Sequence, residues 1–176
     1  MQALCRSIDS LNENLGRIVA WLALFMVIGQ FALVLLRYVF GLNFIAAQEG
    51  MLYMHGTLFL LAAGYTLLHN GHVRVDLLYR AADARTRAQV NLLGVIFFLL
   101  PMCALIWWAA WPFVAVSWQT LEGSIESSGL PFKYLYKSVI LLFTALLALQ
   151  GISQAIKAVL VLKGKAIPEE DEAPSL

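Results

Sequence analysis

Four long stretches of this chain contain no charged residue, and together they cover more than half of its 176 residues. The uncharged stretches are 18–36, 50–73, 88–121 and 138–156. A helix needs about 20 predominantly apolar residues to cross the hydrocarbon layer of a membrane. Since every stretch is close to that length or longer, the sequence predicts an all-α integral membrane protein with four transmembrane helices.

The overall composition agrees with a membrane location. Hydrophobic residues make up 61% of the chain and charged residues 13%, whereas soluble domains average roughly 45–50% and about 25%. The apolar excess lies in the four stretches, and the connections between them are too short for a separate soluble domain. A net charge of +1 gives no basis for binding nucleic acid.

The chain divides into an amphipathic N-terminal segment (1–16), a membrane domain (17–162) and a flexible acidic tail (163–176). Apolar residues recur at helical spacing within the first part, which predicts a short amphipathic helix on the membrane surface. The arginine-rich connection 73–89 predicts a second interfacial helix. The four spans are expected at about 17–40, 46–69, 90–118 and 132–162.

The distribution of basic residues predicts the orientation in the membrane, because cytoplasmic loops carry an excess of Lys and Arg. With four spans, the twelve basic residues divide nine to three between the two sides. The nine are Arg6, Arg17, Arg74, Arg80, Arg85, Arg87, Lys157, Lys163 and Lys165, and the three are Arg37, Lys133 and Lys137. Both termini and the arginine-rich connection are therefore expected in the cytoplasm.

Small and aromatic residues mark two helix faces that are candidates for contact with a partner subunit. Gly56 and Gly64 are eight residues apart and share one face of the second span, where small residues let another helix approach closely. The third span is expected to bend at Pro101 and Pro112. Its second half is rich in tryptophan, which favours the headgroup level of a membrane. Those tryptophans are Trp107, Trp108, Trp111 and Trp118.

Polar residues beside the second span form two further candidate sites. His72, Arg74 and Asp76 follow the span, where they either dock a partner or a lipid headgroup or form a solvated turn in which Asp76 caps the next helix. Glu49 lies at the entrance of the span. An ionisable group at this depth is a functional candidate, and the two readings are a cation site and an ion pair with Arg37.

The loop before the fourth span carries a third candidate site. Glu126 lies in this loop, and Lys133 and Lys137 follow it at a spacing of four residues, so the two lysines share one helix face. Such a face is suited to an acidic patch on a docking protein. The alternative is that both ammonium groups simply reach the headgroup region.

No residue pattern points to an enzyme, a metal site or a cofactor. A nucleophile–base pair, a phosphate-binding loop and a zinc-binding helix are all missing from the sequence. Haem requires axial ligands from both sides of the ring, yet His55 and His69 lie on the same span. The spans also lack the membrane-embedded carboxylate expected of a carrier that acts alone. A subunit that packs against another protein is the expected result.

A set of short motifs in a fixed order resembles a known family. The motifs are Arg37-Tyr-Val-Phe-Gly41, Gln48-Glu49, Gly64-Tyr65, Asn70-Gly-His-Val-Arg-Val-Asp76, Ser117-Trp118, Glu126-Ser127 and Gly129-Leu-Pro131, with Pro101, Lys137 and Gln150 between or after them. From about residue 15 to 160 the chain is similar to the small (Q) subunit of tripartite ATP-independent periplasmic (TRAP) transporters.

The resemblance implies a function and a set of partners. It implies an accessory scaffold, in the bacterial inner membrane, for a large permease subunit that holds the sodium and substrate sites. It also implies transient contact with a periplasmic binding protein that delivers an organic acid, and contact with membrane lipids. Two alternatives remain open, namely a self-sufficient small multidrug-type exporter and a haem-bearing membrane anchor of a redox enzyme.

Overall fold

A computed structural model describes residues 2–72 and 82–164 of the chain. These residues form four long helices: α1 (Gln2–Phe40), α2 (Ile45–Leu68), α3 (Ala84–Gln119) and α4 (Lys133–Leu162). Each is long and apolar enough to cross a membrane, and the described residues contain no strand. The predicted all-α fold with four membrane-spanning helices is confirmed.

Helix α1 is longer than the sequence predicted. It runs without a break through 39 residues from Gln2 to Phe40, so residues 7–16 are its early turns and not a separate short helix. The physical reason is that Cys5, Ile8 and Asn12 are buried against the rest of the protein. The buried face includes Ile8 of the predicted apolar face but not Leu11, which is 48% exposed.

Helix α3 also begins earlier than expected, at Ala84. Asp83 caps it by accepting a hydrogen bond from the backbone N–H of Thr86 at 3.3 Å, the usual role of Asp at this position. Residues 84–89 of the predicted interfacial helix are thus the first turns of α3, and residues 73–81 lie outside the described part.

A π-helical turn at Val95–Leu99 interrupts the α-helical geometry of α3. In this turn the Leu100 N–H donates to the Val95 carbonyl, one residue farther along than in an α-helix. Pro101 follows directly and has no N–H to complete the ordinary ladder. The turn is a known way for a helix to accommodate such a break, and Pro112 lies farther on inside the same helix.

The core of the protein lies between α1, α2 and α4. Val19, Leu61 and Leu146 form its buried centre, one residue from each helix. Within the described residues, α3 packs extensively against α4 alone among the helices. Gly151 of α4 makes that contact close, because a Cβ at this position would lie 2.4 Å from a methyl group of Leu99.

Candidate interaction surfaces

Glu49, which we name the loop anchor, holds the connection between α3 and α4 (residues 120–132) through its carboxylate. Glu49 accepts a hydrogen bond from the Leu130 N–H at 2.7 Å and a second from the Ser124 hydroxyl. The predicted ion pair with Arg37 is wrong, since the carboxylate turns towards the loop, and Arg37 is exposed at the last turn of α1. The cation-site reading also loses its basis, because both carboxylate oxygens have protein donors.

Glu122 holds the other end of the same connection. Its carboxylate pairs with Lys133 at 3.1 Å and with Lys137, and it accepts a hydrogen bond from the Ser117 hydroxyl at 2.8 Å. The hydrogen bonds from Lys137, Ser117 and Lys133 lower the pKa of Glu122 to about 2. Both lysines are therefore engaged within this chain, although the single negative charge of Glu122 offsets only one of their two positive charges.

Between these two anchors the loop has a defined backbone and an exposed tip. The Ser124 N–H donates to the Leu130 carbonyl at 3.0 Å, which closes the loop at its base. At the tip, Ile125 is 91% exposed and Glu126 is exposed beside it. A fixed base and an open tip are the geometry of a contact surface, so Glu126 remains a candidate there.

The two glycines of α2 already receive side chains of this chain. A Cβ at position 56 would lie 2.1 Å from the hydroxyl of Tyr136, and one at position 64 would lie 2.2 Å from Oδ1 of Asn12. The Tyr136 ring is held in place by stacking on Tyr53, with ring centroids 4.5 Å apart. The close approach predicted for Gly56 and Gly64 exists, but it is made with α4 and α1 of the same chain.

The histidines of α2 are separated along the helix. His55 is exposed and lies over Phe59, whereas His69 Nε2 lies 2.6 Å from a carboxylate oxygen of Glu13. His72 is exposed, and its predicted companions Arg74 and Asp76 lie outside the described residues. Among the residues that the structure describes, no group of three His, Cys, Asp or Glu side chains is arranged to hold a metal.

Sequence reasoning missed a polar cluster between the start of α1 and the end of α4. Its members, which we name the N-terminal polar cluster, are Asp9, Asn12, Gln150, Ser153 and Lys157. Asp9 accepts from Gln150 Nε2 at 3.0 Å and from Ser153 Oγ at 2.8 Å, and it pairs with Lys157 at 3.0 Å. Asn12 Nδ2 donates to Gln150 Oε1 at 2.8 Å. The sequence did contain a sign of this cluster in its residue spacing. Asp9 and Asn12 share one face of α1, and Gln150, Ser153 and Lys157 share one face of α4.

The tryptophans of α3 form an exposed apolar surface. Trp107 and Trp111 stack with centroids 6.2 Å apart beside Pro112, and Trp108 is 79% exposed. Trp118 differs from them, since its ring nitrogen donates to Ser138 of α4 at 2.7 Å. Three of the four tryptophans are thus available to lipid or to a partner.

Comparison with known families decides the class of this membrane bundle. The model of the DctQ component of tripartite ATP-independent periplasmic transporters matches residues 17–161. The chain belongs to the DctQ family. Neither the search of curated proteins nor the search of solved structures found a match.

Membership of the DctQ family places the protein in the inner membrane as a component of a transporter. DctQ proteins function with a large permease and a periplasmic binding protein, and the family is not one of enzymes. The match begins after Asp9 and Asn12, so the N-terminal polar cluster joins residues inside and outside the matched segment.

Proposed function

We propose that this DctQ protein is the accessory membrane subunit of a sodium-coupled transporter that imports an organic acid, and that it acts as a scaffold for the large permease. The observation that carries the proposal is the family match over residues 17–161. The bound solute and the coupling ions are assigned to the large subunit, and delivery of the solute is assigned to the periplasmic binding protein.

The placement of charge supports a scaffold role. The uncharged stretches 18–36, 88–121 and 138–156 form the middle of α1, most of α3 and the middle of α4. The charged groups of the described helices lie outside these stretches, and several of them are paired within the chain. A carrier needs ionisable or polar groups facing a pathway at membrane depth, and the hydrocarbon-depth part of these helices offers few of them.

The way the helices are tied together also supports a scaffold role. Side-chain hydrogen bonds and ion pairs join the helices at both ends of the bundle, through the N-terminal polar cluster at one end and the anchors Glu49 and Glu122 at the other. The outward faces of α1 and α3 are apolar. On α1 the exposed large residues include Trp21, Leu24, Phe25, Ile28, Phe31 and Leu35. We assign the contact with the large permease to these outward faces.

The tip of the α3–α4 loop is our proposed contact for the partner proteins outside the membrane. Ile125 and Glu126 are exposed there, and Arg37 is exposed on α1 at the same end of the bundle. Lys133 and Lys137 act indirectly in this proposal, because they hold Glu122 and so position the loop. The basic count places this end in the periplasm, where the binding protein would reach it.

Reconstitution tests the proposal directly. The large permease is reconstituted into liposomes with and without this chain, the binding protein is supplied outside, and uptake of labelled dicarboxylates, keto acids and sialic acid is measured under a sodium gradient. We expect uptake of one acid class only when both membrane subunits are present, and loss of uptake when potassium replaces sodium.

Two results would contradict the proposal. Undiminished uptake by the large permease and binding protein without this chain would remove the scaffold role. Accumulation of an organic acid by this chain alone would show that it carries its own solute pathway. Glu126→Gln and Ile125→Ser serve as surface variants that should lower uptake without changing co-purification of the two membrane subunits.

A further inference from the structure

The first turns of α1, residues 2–16, lie against α4 and, at their end, against α2, where Leu15 packs on the core and Gly16 on Tyr65. Cys5 and Ile8 are the buried hydrophobic side chains of this segment, whereas Leu4 and Leu11 are about half exposed. The polar side chains are the better buried ones at this contact. Asn12 is 1% exposed and Gln150 is 0% exposed. Polar groups buried this deeply require partners, so the polar contacts decide whether the segment is docked.

The hydrogen bonds of the N-terminal polar cluster all run in one direction. Asn12 donates to Gln150, and Gln150 in turn donates to Asp9. Ser153 and Lys157 donate to the same carboxylate. These side-chain donors therefore lead, directly or through Gln150, to Asp9, and the carboxylate fixes the orientation of both amides. Asn12 Nδ2 also donates to the Ile8 carbonyl of its own helix at 3.3 Å.

A close contact with α2 completes the arrangement. Asn12 Oδ1 is buried and has no hydrogen-bond partner among the described residues. A Cβ added at Gly64 would lie only 2.2 Å from this oxygen. The missing side chain at Gly64 leaves room for this oxygen against the helix backbone, in the manner of a weak C–H···O contact. Asn12 thus meets α2 with its amide oxygen, while its amide nitrogen begins the chain of donors that ends at Asp9.

We propose that residues 2–16 form an arm that is latched onto α4 by Asp9, and that the charge of this one side chain sets whether the arm is docked. Docking covers Gln150 and Ser153, which are both fully buried. Release would leave these two side chains and Lys157 without the acceptor they share. This inference concerns the conformation of the chain itself and does not depend on the proposed transport function.

Other groups near the latch are arranged separately. Glu13 lies on the side of the same helix that faces the end of α2, and it contacts Arg17 at 2.8 Å and His69 at 2.6 Å. Gln154 donates to the Leu67 carbonyl at 2.9 Å and so joins α4 to α2 without involving the arm. Glu13 therefore offers a matched control, since it is an acidic residue one turn from Asp9 whose partners among the described residues are Arg17 and His69 and not side chains of α4.

Native Cys5 provides a probe for docking. It is 5% exposed and its thiol lies 3.9 Å from the Ser153 carbonyl oxygen, so a thiol reagent reaches it only when the arm leaves α4. The full chain is prepared in membranes with Cys103→Ala, which removes the second cysteine. The rate of maleimide labelling of Cys5 is then compared between variants.

We expect Asp9→Asn to speed labelling of Cys5 by about tenfold or more, because the Lys157 ammonium then faces an amide in place of the carboxylate at position 9. Adding Lys157→Gln to Asp9→Asn should restore slow labelling, since an amide oxygen at position 157 can accept from the new amide at position 9. Glu13→Gln should leave the rate unchanged.

Three outcomes would overturn the latch. The first is labelling of Asp9→Asn as slow as that of the parent. The second is labelling of Glu13→Gln as fast as that of Asp9→Asn, and the third is a double variant that stays as reactive as Asp9→Asn. The helical circular dichroism of each variant is recorded in parallel, and recovery in the double variant separates release of the arm from loss of the fold.

Discussion

Individual glycines control how closely the helices of this protein approach each other. A Cβ at position 16 would lie 2.3–2.6 Å from three atoms of Tyr65, one of which is its Cβ. An atom so near the backbone cannot move aside without shifting the helix. By contrast, Gly94 of α3 has open space around it. The sequence marks both positions only as glycine, so the difference between them comes from the structure.

Gly16→Ala should therefore destabilise the protein, and Gly94→Ala should not. Overpacking at position 16 is expected to cost about 1–3 kcal/mol. Alanine at position 94 removes backbone freedom from a helix interior and is expected to contribute roughly 0.5–1 kcal/mol of stability. Thermal unfolding in detergent, followed by circular dichroism, measures both changes. Equal melting temperatures for the two variants would contradict this account.

The end of α3 carries a strained residue. Leu121 has φ of +46°, a left-handed conformation that costs a residue with a Cβ about 1–2 kcal/mol. The Glu122 N–H donates to the Ser117 carbonyl at 3.0 Å, which is the closing bond of a helix C-terminus where glycine is usual.

We expect Leu121→Gly to stabilise the protein by about 1 kcal/mol, because glycine adopts this conformation freely. Thr120→Gly is the matched control, since Thr120 has an ordinary φ of −94° and should lose stability when replaced. Denaturant unfolding of the two variants in the same detergent measures the difference. If Leu121→Gly unfolds at a lower denaturant concentration than the parent, Leu121 is not strained in the folded protein.

At the scale of elements, the α3–α4 loop depends on an ionised Glu122. The pKa of Glu122 falls from an ordinary 4.5 to about 2 in the folded protein. A lowered pKa means that the ionised carboxylate stabilises the fold fully above pH 4.5 and that this stabilisation disappears as the pH falls through about 2.

Glu122→Gln should consequently lower the melting temperature at neutral pH, and the difference from the parent should close as the pH approaches 2. Glu126→Gln is the control, because Glu126 is exposed at the loop tip and should change little at any pH. Melting temperatures across the acid range test this. A Glu122→Gln difference that stays constant down to the lowest pH would mean that charge is not the cause.

The elements also show what the sequence could and could not predict. The lengths of the uncharged stretches predicted the four spans, since a membrane constrains helix length and polarity directly. Helices α1 and α3 begin several residues before the expected spans, and polar residues in those early turns make contacts, as Asp9 and Asp83 do. Partners of side chains depend on how helices pack, so the pairing of Glu49 with the loop could not be read from spacing.

At the scale of the whole molecule, three helices share a core and the fourth is attached to one of them. Val19, Leu61 and Leu146 join α1, α2 and α4, whereas α3 packs mainly on α4 through the contact of Gly151 with Leu99. A helix that packs on one neighbour opens once that single interface is lost, whereas a helix of the shared core must break two interfaces.

We therefore expect α3 to lose protection first when the isolated protein is destabilised. Hydrogen exchange in detergent, followed by mass spectrometry, should show faster exchange in α3 than in the core-facing parts of α2 and α4. Gly151→Ala should widen that difference, because the added methyl group would push against Leu99. Uniform exchange across all four helices would show that α3 is held as firmly as the others.

The π-helical turn at Val95–Leu99 changes how the rest of α3 must be mapped. One additional residue in the turn rotates everything after it by about 100° relative to an uninterrupted α-helix. A helical wheel drawn straight through 84–119 would therefore assign Trp108 and its neighbours to the wrong side. Mutagenesis of this helix should therefore be planned on two separate helical wheels, one for the residues before the π-helical turn and one for the residues from Pro101 onwards.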